Sequence, residues 1–166
     1  MTQSDEQDYL MNIQSVNNLL VQPPEATMTH PMLEGEAASD WLGITIDKIS
    51  DGHATLSMTL RPEMMNGFGV SHGGMIFAFA DSAFAFACNP ADSDGSTQTV
   101  AAGVDINFLA PSRAGQRLTA VANRRAQTGR SGIYDVQVFA ESDASPELIA
   151  EFRGRSRTIP TRGSNA

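Results

Sequence analysis

Apolar and polar residues alternate strictly over residues 54–60, where Ala, Leu, Met and Leu occupy every second position. This period-two pattern predicts a strand with one buried face. A shorter apolar run at residues 44–46 precedes it, and Asp51-Gly52 between the two runs is a hairpin-turn signal. The body of the fold is therefore expected to open with a β-hairpin.

The longest apolar stretch runs from Met75 to Cys88 and is interrupted only by Asp81 and Ser82. It is rich in Ala and Phe, contains a single β-branched residue, and ends before Asn-Pro at positions 89–90. Its length and composition favour an α-helix that is apolar on nearly all sides and therefore buried. At about 21 Å, such a helix is too short to cross a bilayer.

Four strand-like runs follow, at residues 100–108, 118–125, 133–140 and 148–159. One face of the first run is predicted to carry Val100, Ala102, Val104, Ile106 and Phe108. One face of the last is predicted to carry Arg153, Arg155 and Arg157. Two strands, one buried helix and four further strands indicate an α+β domain, in which a twisted antiparallel sheet wraps around one long apolar helix.

The remaining segments are assigned from their apolar spacing and their prolines. A helical stripe over residues 9–20 predicts a short helix in an N-terminal extension, residues 1–26. A second short helix is predicted for residues 31–40, with Pro31 in its first turn. One main domain is expected over residues 27–160, followed by a tail at 161–166, which suits a length of 166 residues.

Charge and composition narrow the functional classes. The net charge of −8 argues against nucleic acid as a partner. From Ala110 onward nine basic residues outnumber five acidic ones, which suits a phosphate-bearing ligand. The chain starts without a secretory signal pattern, and the single Cys88, expected to be a small buried hydrophobe, allows no intrachain disulfide. We expect a cytoplasmic protein that does not bind membranes.

Asp81 is the residue that the apolar pattern does not explain. Burying a carboxylate without partners costs at least several kcal/mol, or forces the group to take up a proton. A general base or nucleophile with a shifted pKa would account for an Asp at this position. The alternative is an Asp that faces solvent or caps a neighbouring strand.

His72-Gly73-Gly74 opens the predicted helix. Free N–H groups at a helix start can hold a carbonyl oxygen that becomes negative, and glycines allow close approach. His72 could act as a base or could hydrogen-bond the backbone. Gly73 and Asp81 are separated by about 12 Å along one helix, so a single reacting carbonyl can meet both only if they come from different helices. The spacing therefore predicts a homodimer with two composite sites.

Several motifs occur together in one order: Asn66-Gly67, Ser71-His72-Gly73-Gly74, Ala80-Asp81, Val104-Asp105-Ile106 and Tyr134-Asp135-Val136. They resemble the signature of PaaI-type hotdog thioesterases, a family named for phenylacetate degradation, over residues 30–158. The resemblance implies a hotdog fold and hydrolysis of acyl-CoA thioesters, such as phenylacetyl-CoA, hydroxyphenylacetyl-CoA or a related aromatic or medium-chain acyl-CoA. It implies no metal, no cofactor beyond the CoA of the substrate, and a homodimer assembled further as a tetramer.

The resemblance also assigns roles to individual residues. Asp81 is the catalytic carboxylate, and the amide of Gly73 stabilises the oxyanion. Asn66 helps to place the water or the thioester, and His72 orients the loop. This chain departs from the pattern at Gly103, where related enzymes often carry a Ser or Thr that can help to hold the water.

The phosphates of CoA require cations along their path. The candidates are Arg113, Arg124, Arg125 and Arg130, and Arg130 is favoured because it follows Gly129 in a predicted turn. Gly74 would let the ligand approach the helix start. Two other functions stay open at this point: a hotdog hydratase or dehydratase that uses His72 and Asp81 together, and a non-catalytic acyl-CoA-binding module.

Overall fold

The computed structural model describes residues 30–34, 36–142 and 145–161. Its strands form one antiparallel sheet in the order β1-β2-β4-β5-β6-β3. The strands are β1 (Thr45–Ser50), β2 (His53–Thr59), β3 (Thr97–Phe108), β4 (Arg117–Thr128), β5 (Ser131–Ala140) and β6 (Glu147–Pro160). The helices of this part of the chain are α1 (Ala37–Leu42), α2 (Gly73–Cys88) and the 3-10 turns Pro31–Leu33 and Pro62–Met64. This is the α+β arrangement that the sequence predicts.

The opening hairpin is confirmed. β1 and β2 pair in antiparallel fashion, and Gly52 has a φ of 73° in the turn, a left-handed conformation that glycine adopts without a Cβ clash. Ala54, Leu56 and Met58 are buried, as the alternation predicts, but Thr55 and Ser57 on the opposite face are buried too, so the strand does not have a single buried face. β1 extends to Ser50, beyond the apolar run at residues 44–46.

The central helix α2 lies against the inner face of the sheet. Its buried residues are Ile76, Phe79, Ala80, Ala83, Phe84, Phe86 and Ala87, and each buried Phe contributes about 1.5–3 kcal/mol through loss of water contact. A stripe at spacings of three and four stays out of the core: Gly74 is exposed, and Ala78, Asp81, Ala85 and Cys88 are partly exposed. The predicted burial on nearly all sides is thus wrong along this stripe, because the sheet of one chain covers only part of the helix. None of the helices described has the length and hydropathy needed to span a membrane.

The edge strand β3 differs from its predicted alternation. Its register with β6 shifts at residues 101–103, where a β-bulge inserts an extra residue. Val104 packs on the core, whereas Val100 pairs with the outward-facing Arg157 and is 40% exposed. The prediction that Val100 shares the face of Val104 is therefore wrong, because the bulge at Ala102 reverses the alternation.

The segment before β1 contains two short helices where one was predicted over residues 31–40. The 3-10 turn Pro31–Leu33 is separated from α1, and the sequence places Gly35, a poor helix residue, between them. His30 anchors the segment, since its Nε2 lies 2.8 Å from the carbonyl oxygen of Asn89 at the end of α2. The extension 1–26 with its predicted helix, and residues 162–166 of the tail, lie outside the described residues.

Candidate active site

Among the described residues, the start of α2 leaves the backbone N–H of one residue without an acceptor. His72 is the N-cap residue, and its Nδ1 accepts the N–H of Gly74 at 3.0 Å. The carbonyl oxygen of His72 accepts the N–H of Met75 at 2.8 Å. The N–H of Gly73 has no acceptor among the residues that the structure describes. Since the helix dipole adds positive potential here, this N–H can stabilise an oxygen that develops negative charge.

This geometry separates the roles of the residues in the His-Gly-Gly motif. The N–H of Gly74 already donates to His72, so Gly74 cannot donate to a ligand. Because it has no side chain, it leaves space for a ligand to approach. Nδ1 of His72 must be unprotonated to accept a hydrogen bond, and this places the proton of the neutral ring on Nε2. The ring of His72 therefore caps the helix and fixes the conformation of its first turn.

Asn66 builds the loop that leads into α2. Its Oδ1 accepts the N–H of Phe68 at 2.8 Å and that of Val70 at 3.4 Å. Its own backbone N–H donates to the carbonyl oxygen of Val70 at 2.8 Å. Within the described part of the chain, the Nδ2 group has no acceptor, so this amide is free to donate to a water or a carbonyl oxygen.

Asp81 is half-buried on the open stripe of α2. Burial raises the pKa of its carboxyl above the ordinary value, because the charged form loses contact with water. No described side chain donates a hydrogen bond or forms an ion pair with it. A carboxylate with a raised pKa and free lone pairs is suited to accept a proton or to attack an electrophile. Elsewhere in the described ranges, too, no three His, Cys, Asp or Glu side chains are grouped so that they could hold a metal ion.

Gly73 and Asp81 lie in the same helix, eight positions apart in α2. At 1.5 Å per residue this is about 12 Å along the axis, and an Asp side chain cannot span that distance. The fold of one chain therefore does not bring the free N–H and the carboxylate together.

The predicted phosphate-binding arginines differ in availability. Arg124 makes a bidentate pair with Asp51, at 2.8 and 2.7 Å. Arg125 donates to Asp135 at 2.9 Å. Arg130 forms no ion pair within the described residues. Arg130 is thus available to a phosphate, whereas carboxylates already hold Arg124 and Arg125.

Arg113 and Arg130 lie at opposite ends of α2. Arg113 follows Ser112, whose carbonyl oxygen accepts the N–H of Ser71 beside the helix start. Arg130 and Gly129, which has a φ of 55°, form the turn between β4 and β5, beside the last residues of β6. A single chain does not bring these two arginines to one phosphate group.

Gly103 faces the outer side of the sheet, opposite Arg155 of β6. A Cβ at residue 103 would lie 2.6 Å from Nη2 of Arg155. The guanidinium group therefore fills the space that a Ser or Thr side chain would occupy. The inner face, where α2 packs, is the opposite one, so a side chain at residue 103 would not reach Asp81 of its own chain.

A polar cluster that the sequence motifs did not identify lies two helical turns beyond Asp81. Cys88 interacts with the hydroxyl groups of Tyr134 and Ser156, and burial raises the pKa of its thiol to about 12. Burial likewise raises the pKa of Tyr134 to about 12. Both groups stay protonated at neutral pH, so this thiol is not a nucleophile there. The sequence could have indicated this cluster, because Tyr134 and Ser156 are polar residues at inward-facing positions of their strands.

Comparison with known proteins gives two related findings. The sequence profile of the thioesterase superfamily matches residues 68–147. The acyl-coenzyme A thioesterase PaaI of Escherichia coli strain K12 is 40% identical over 130 residues, covering 78% of this chain and 88% of that protein. The similarity therefore extends over most of both chains.

Solved structures give the same result. The PaaI protein of the Escherichia coli phenylacetic acid degradation operon superposes with a TM-score of 0.70 at 38% identity, covering 77% of this chain and 88% of that one. A variant of the phenylacetic acid degradation protein PaaI from Thermus thermophilus superposes with a TM-score of 0.66 at 29% identity, covering 74% and 98%. These similarities confirm the hotdog fold.

Proposed function

This chain belongs to the thioesterase superfamily, and from that premise we propose that it is an enzyme that hydrolyses acyl-CoA thioesters to a free acid and CoA. The observation that carries the proposal is the carboxylate of Asp81, half-buried, unpartnered in the described part of the chain and raised in pKa. A free N–H at Gly73 supplies the second group that the reaction needs. The relative with 40% identity is named for this activity.

The reaction begins with the thioester carbonyl oxygen accepting the N–H of Gly73, which stabilises the negative charge that develops there. Asp81 of the partner subunit takes a proton from water while the water oxygen bonds to the carbonyl carbon. The C–S bond then breaks, and CoA leaves as a thiolate that needs little acid assistance. The Asn66 amide donates to the water or the thioester, and His72 holds the helix start.

A second route has the same balance of atoms. The carboxylate of Asp81 attacks the carbon directly, the thiolate leaves, and water hydrolyses the resulting mixed anhydride. A single turnover in heavy-oxygen water tests for the second route. Label in the Asp81 carboxylate establishes direct attack, because water has then opened the anhydride at the Asp81 carbon. Label only in the released acid fits the general base, or an anhydride that water opens at its acyl carbon.

The sites are shared between two subunits, because one chain holds the two groups about 12 Å apart. Two α2 helices packed antiparallel about a twofold axis place Gly73 of each chain beside Asp81 of the other. The 12-residue edge strand β3 supports this assembly, since one of its sides has no partner strand in the described part of the chain. A pair of such dimers makes the tetramer.

The substrate is an aromatic or medium-chain acyl-CoA, with phenylacetyl-CoA and hydroxyphenylacetyl-CoA the first to test because of the relatives' names. Phe77 is the phenylalanine of α2 that stays partly exposed. It packs edge-on against Phe152, with 5.8 Å between the ring centroids. It is therefore the phenylalanine of α2 that is available to the acyl group. The CoA phosphates meet Arg130 at the Gly129 turn. The reaction uses no cofactor beyond CoA and takes place in the cytoplasm.

Thiol release from a panel of acyl-CoA thioesters tests the proposal. Asp81→Asn should lower turnover by at least about 100-fold, because amide nitrogen neither accepts the proton nor attacks the carbon. Ser82→Ala is the matched control: its hydroxyl donates to the Ala78 carbonyl oxygen at 3.0 Å, and turnover should stay near that of the native enzyme.

Three outcomes would contradict the proposal. Near-native turnover in a folded Asp81→Asn protein would remove Asp81 from the chemistry. Hydration of crotonyl-CoA without CoA release would favour a hydratase. Tight binding of acyl-CoA with no thiol released would favour a binding module.

A further inference from the structure

The ring of Phe108 stands against the start of α2. Phe108 is the last residue of β3 and pairs with Ala150 of β6. A Cβ at Gly73 would lie 3.0 Å from Cζ, 3.3 Å from Cε2 and 3.5 Å from Cε1 of this ring. The tip of the ring therefore contacts the backbone of the residue whose N–H has no acceptor in the described part of the chain.

This contact places an apolar wall beside the free N–H. A Cβ lies about 2.5 Å from its own backbone nitrogen, so the ring tip is within about 5.5 Å of the Gly73 nitrogen. Apolar atoms near a donor displace water and lower the local dielectric, which strengthens the hydrogen bond to a developing oxyanion. The ring is 54% exposed, so part of it is open to a ligand.

We propose that Phe108 is a positioning residue for the hydrolysis: its ring keeps water away from the Gly73 N–H and holds the thioester carbonyl in line with it. This inference rests on the proposed thioesterase function and adds a residue to its site. It also accounts for glycine at residue 73, because any side chain there would have to displace the ring.

The first test compares Phe108→Ala with a neighbour of equal exposure. Phe108→Ala should lower kcat by about 10–100-fold on the acyl-CoA that the native enzyme hydrolyses best, and change KM by less than about 3-fold. Phe108→Leu and Phe108→Tyr should keep most of the rate, since both retain an apolar body. Leu109→Ala is the control, at 55% exposure in the native chain, and should leave kcat unchanged.

A second measurement separates this role from a structural one. An S-alkyl-CoA thioether has no thioester carbonyl to accept the Gly73 N–H, so Phe108→Ala should bind it as tightly as the native enzyme does. The variant should also keep the native oligomeric state by sedimentation. A loss of thioether binding, or of the oligomer, in parallel with kcat would overturn the proposal in favour of a structural role.

A double-mutant cycle tests the contact itself. Gly73→Ala should lower kcat in the native background, because the new Cβ meets the ring at 3.0 Å. In the Phe108→Ala background the same change should have a much smaller effect. Equal kcat in Phe108→Ala and native enzyme, or additive effects in the cycle, would overturn the inference while thiol release by the native enzyme upheld the thioesterase. Absence of thiol release by the native enzyme would instead overturn the thioesterase proposal first, and the role of Phe108 with it.

Discussion

At the carboxylate of Asp81, the proposed catalytic role and the stability of the fold oppose each other. It is half-buried, burial raises its pKa, and no described group compensates the charge. At neutral pH the folded protein therefore holds a charged group in a site that favours the neutral form. In the proposed reaction, a water molecule and the thioester are the partners of this group.

Removing this charge should stabilise the fold in a pH-dependent way. The folded state holds the Asp81 proton more tightly than the unfolded state does, so native stability falls as the pH rises through the raised pKa. Asp81→Asn should therefore have a higher Tm than the native protein at pH 7–8. The difference should disappear in acid, once Asp81 is protonated in both folded and unfolded chains. Thermal unfolding from pH 3 to 8 measures this, and an equal or lower Tm of the variant at pH 7 would contradict it.

The sequence identified Asp81 because one acidic residue interrupts a long apolar run, a signal that needs no coordinates. The different roles of Gly73 and Gly74 could not be read in the same way, because they depend on the His72 ring turning back onto one N–H and not the other. The contact of Phe108 with the helix start was not predicted from the sequence, for a related reason. Its contact with Gly73 joins residues 35 positions apart in sequence, at the ends of two elements.

At the level of elements, the start of α2 depends on its cap. His72→Ala removes the acceptor of the Gly74 N–H and should cost about 1 kcal/mol of stability. Because the free Gly73 N–H would then be held less firmly, kcat should fall as well. His72→Asn is the matched variant, since its Oδ1 can accept the same N–H, and it should recover most of the stability and rate. Urea unfolding measures the stability, and thiol release measures kcat. A His72→Ala protein with native stability and native kcat would refute the capping role.

Two glycines on neighbouring strands differ in the side chain that a new Cβ would meet: one is fixed in the core and the other is free to move. A Cβ at Gly154 would lie 2.7 Å from Cζ of the buried Phe84, and overpacking of this kind costs about 1–3 kcal/mol. A Cβ at Gly103 would meet the exposed end of Arg155, which can swing into solvent. Gly154→Ala should therefore unfold at clearly lower urea concentration, and Gly103→Ala should stay within about 0.5 kcal/mol of the native protein. Similar losses in the two variants would contradict this reading of the sheet.

The elements themselves were largely predictable, and the exceptions have local causes. Strict alternation located β2, and the composition of residues 75–88 located the helix. The bulge at residues 101–103 was not predictable, since periodicity alone assigns Val100 and Val104 to one face. The single short helix predicted over residues 31–40 was wrong, because the prediction rested on Pro31 in a first turn and gave no weight to Gly35 in the sequence.

For the whole molecule, the order of the strands required more than local pattern. Alternation indicates which residues face the core, but it does not place β3 beside β6, a pairing that joins residues 97–108 to the last strand. The resemblance to a known family supplied the hotdog fold that the solved relatives confirm. Neither pattern nor fold, however, completes the proposed site within one chain, because the rise of α2 separates Gly73 from Asp81.

Subunit complementation tests the shared site directly. Gly73→Pro removes the N–H at the first helical position, where the backbone of Pro is well tolerated, and its Cβ displaces the ring of Phe108 at the same site. His72 before it has an extended backbone, with a ψ of 129°, as the residue before Pro requires. Asp81→Asn and Gly73→Pro should each be nearly inactive alone, since one lacks the carboxylate and the other the donor at both sites.

A mixed dimer of these two chains contains one site with both native groups and one with neither. Random pairing of equal amounts makes half of all dimers mixed, so co-refolded chains should recover about one quarter of native thiol release. Pairing Asp81→Asn with the double variant Asp81→Asn, Gly73→Pro is the control, because no combination of those chains restores a carboxylate. If differently tagged chains are shown to pair and the first mixture is still no more active than its parents, the two groups do not meet across a subunit boundary. Recovery near one quarter would assign Asp81 and Gly73 to different chains of the same site.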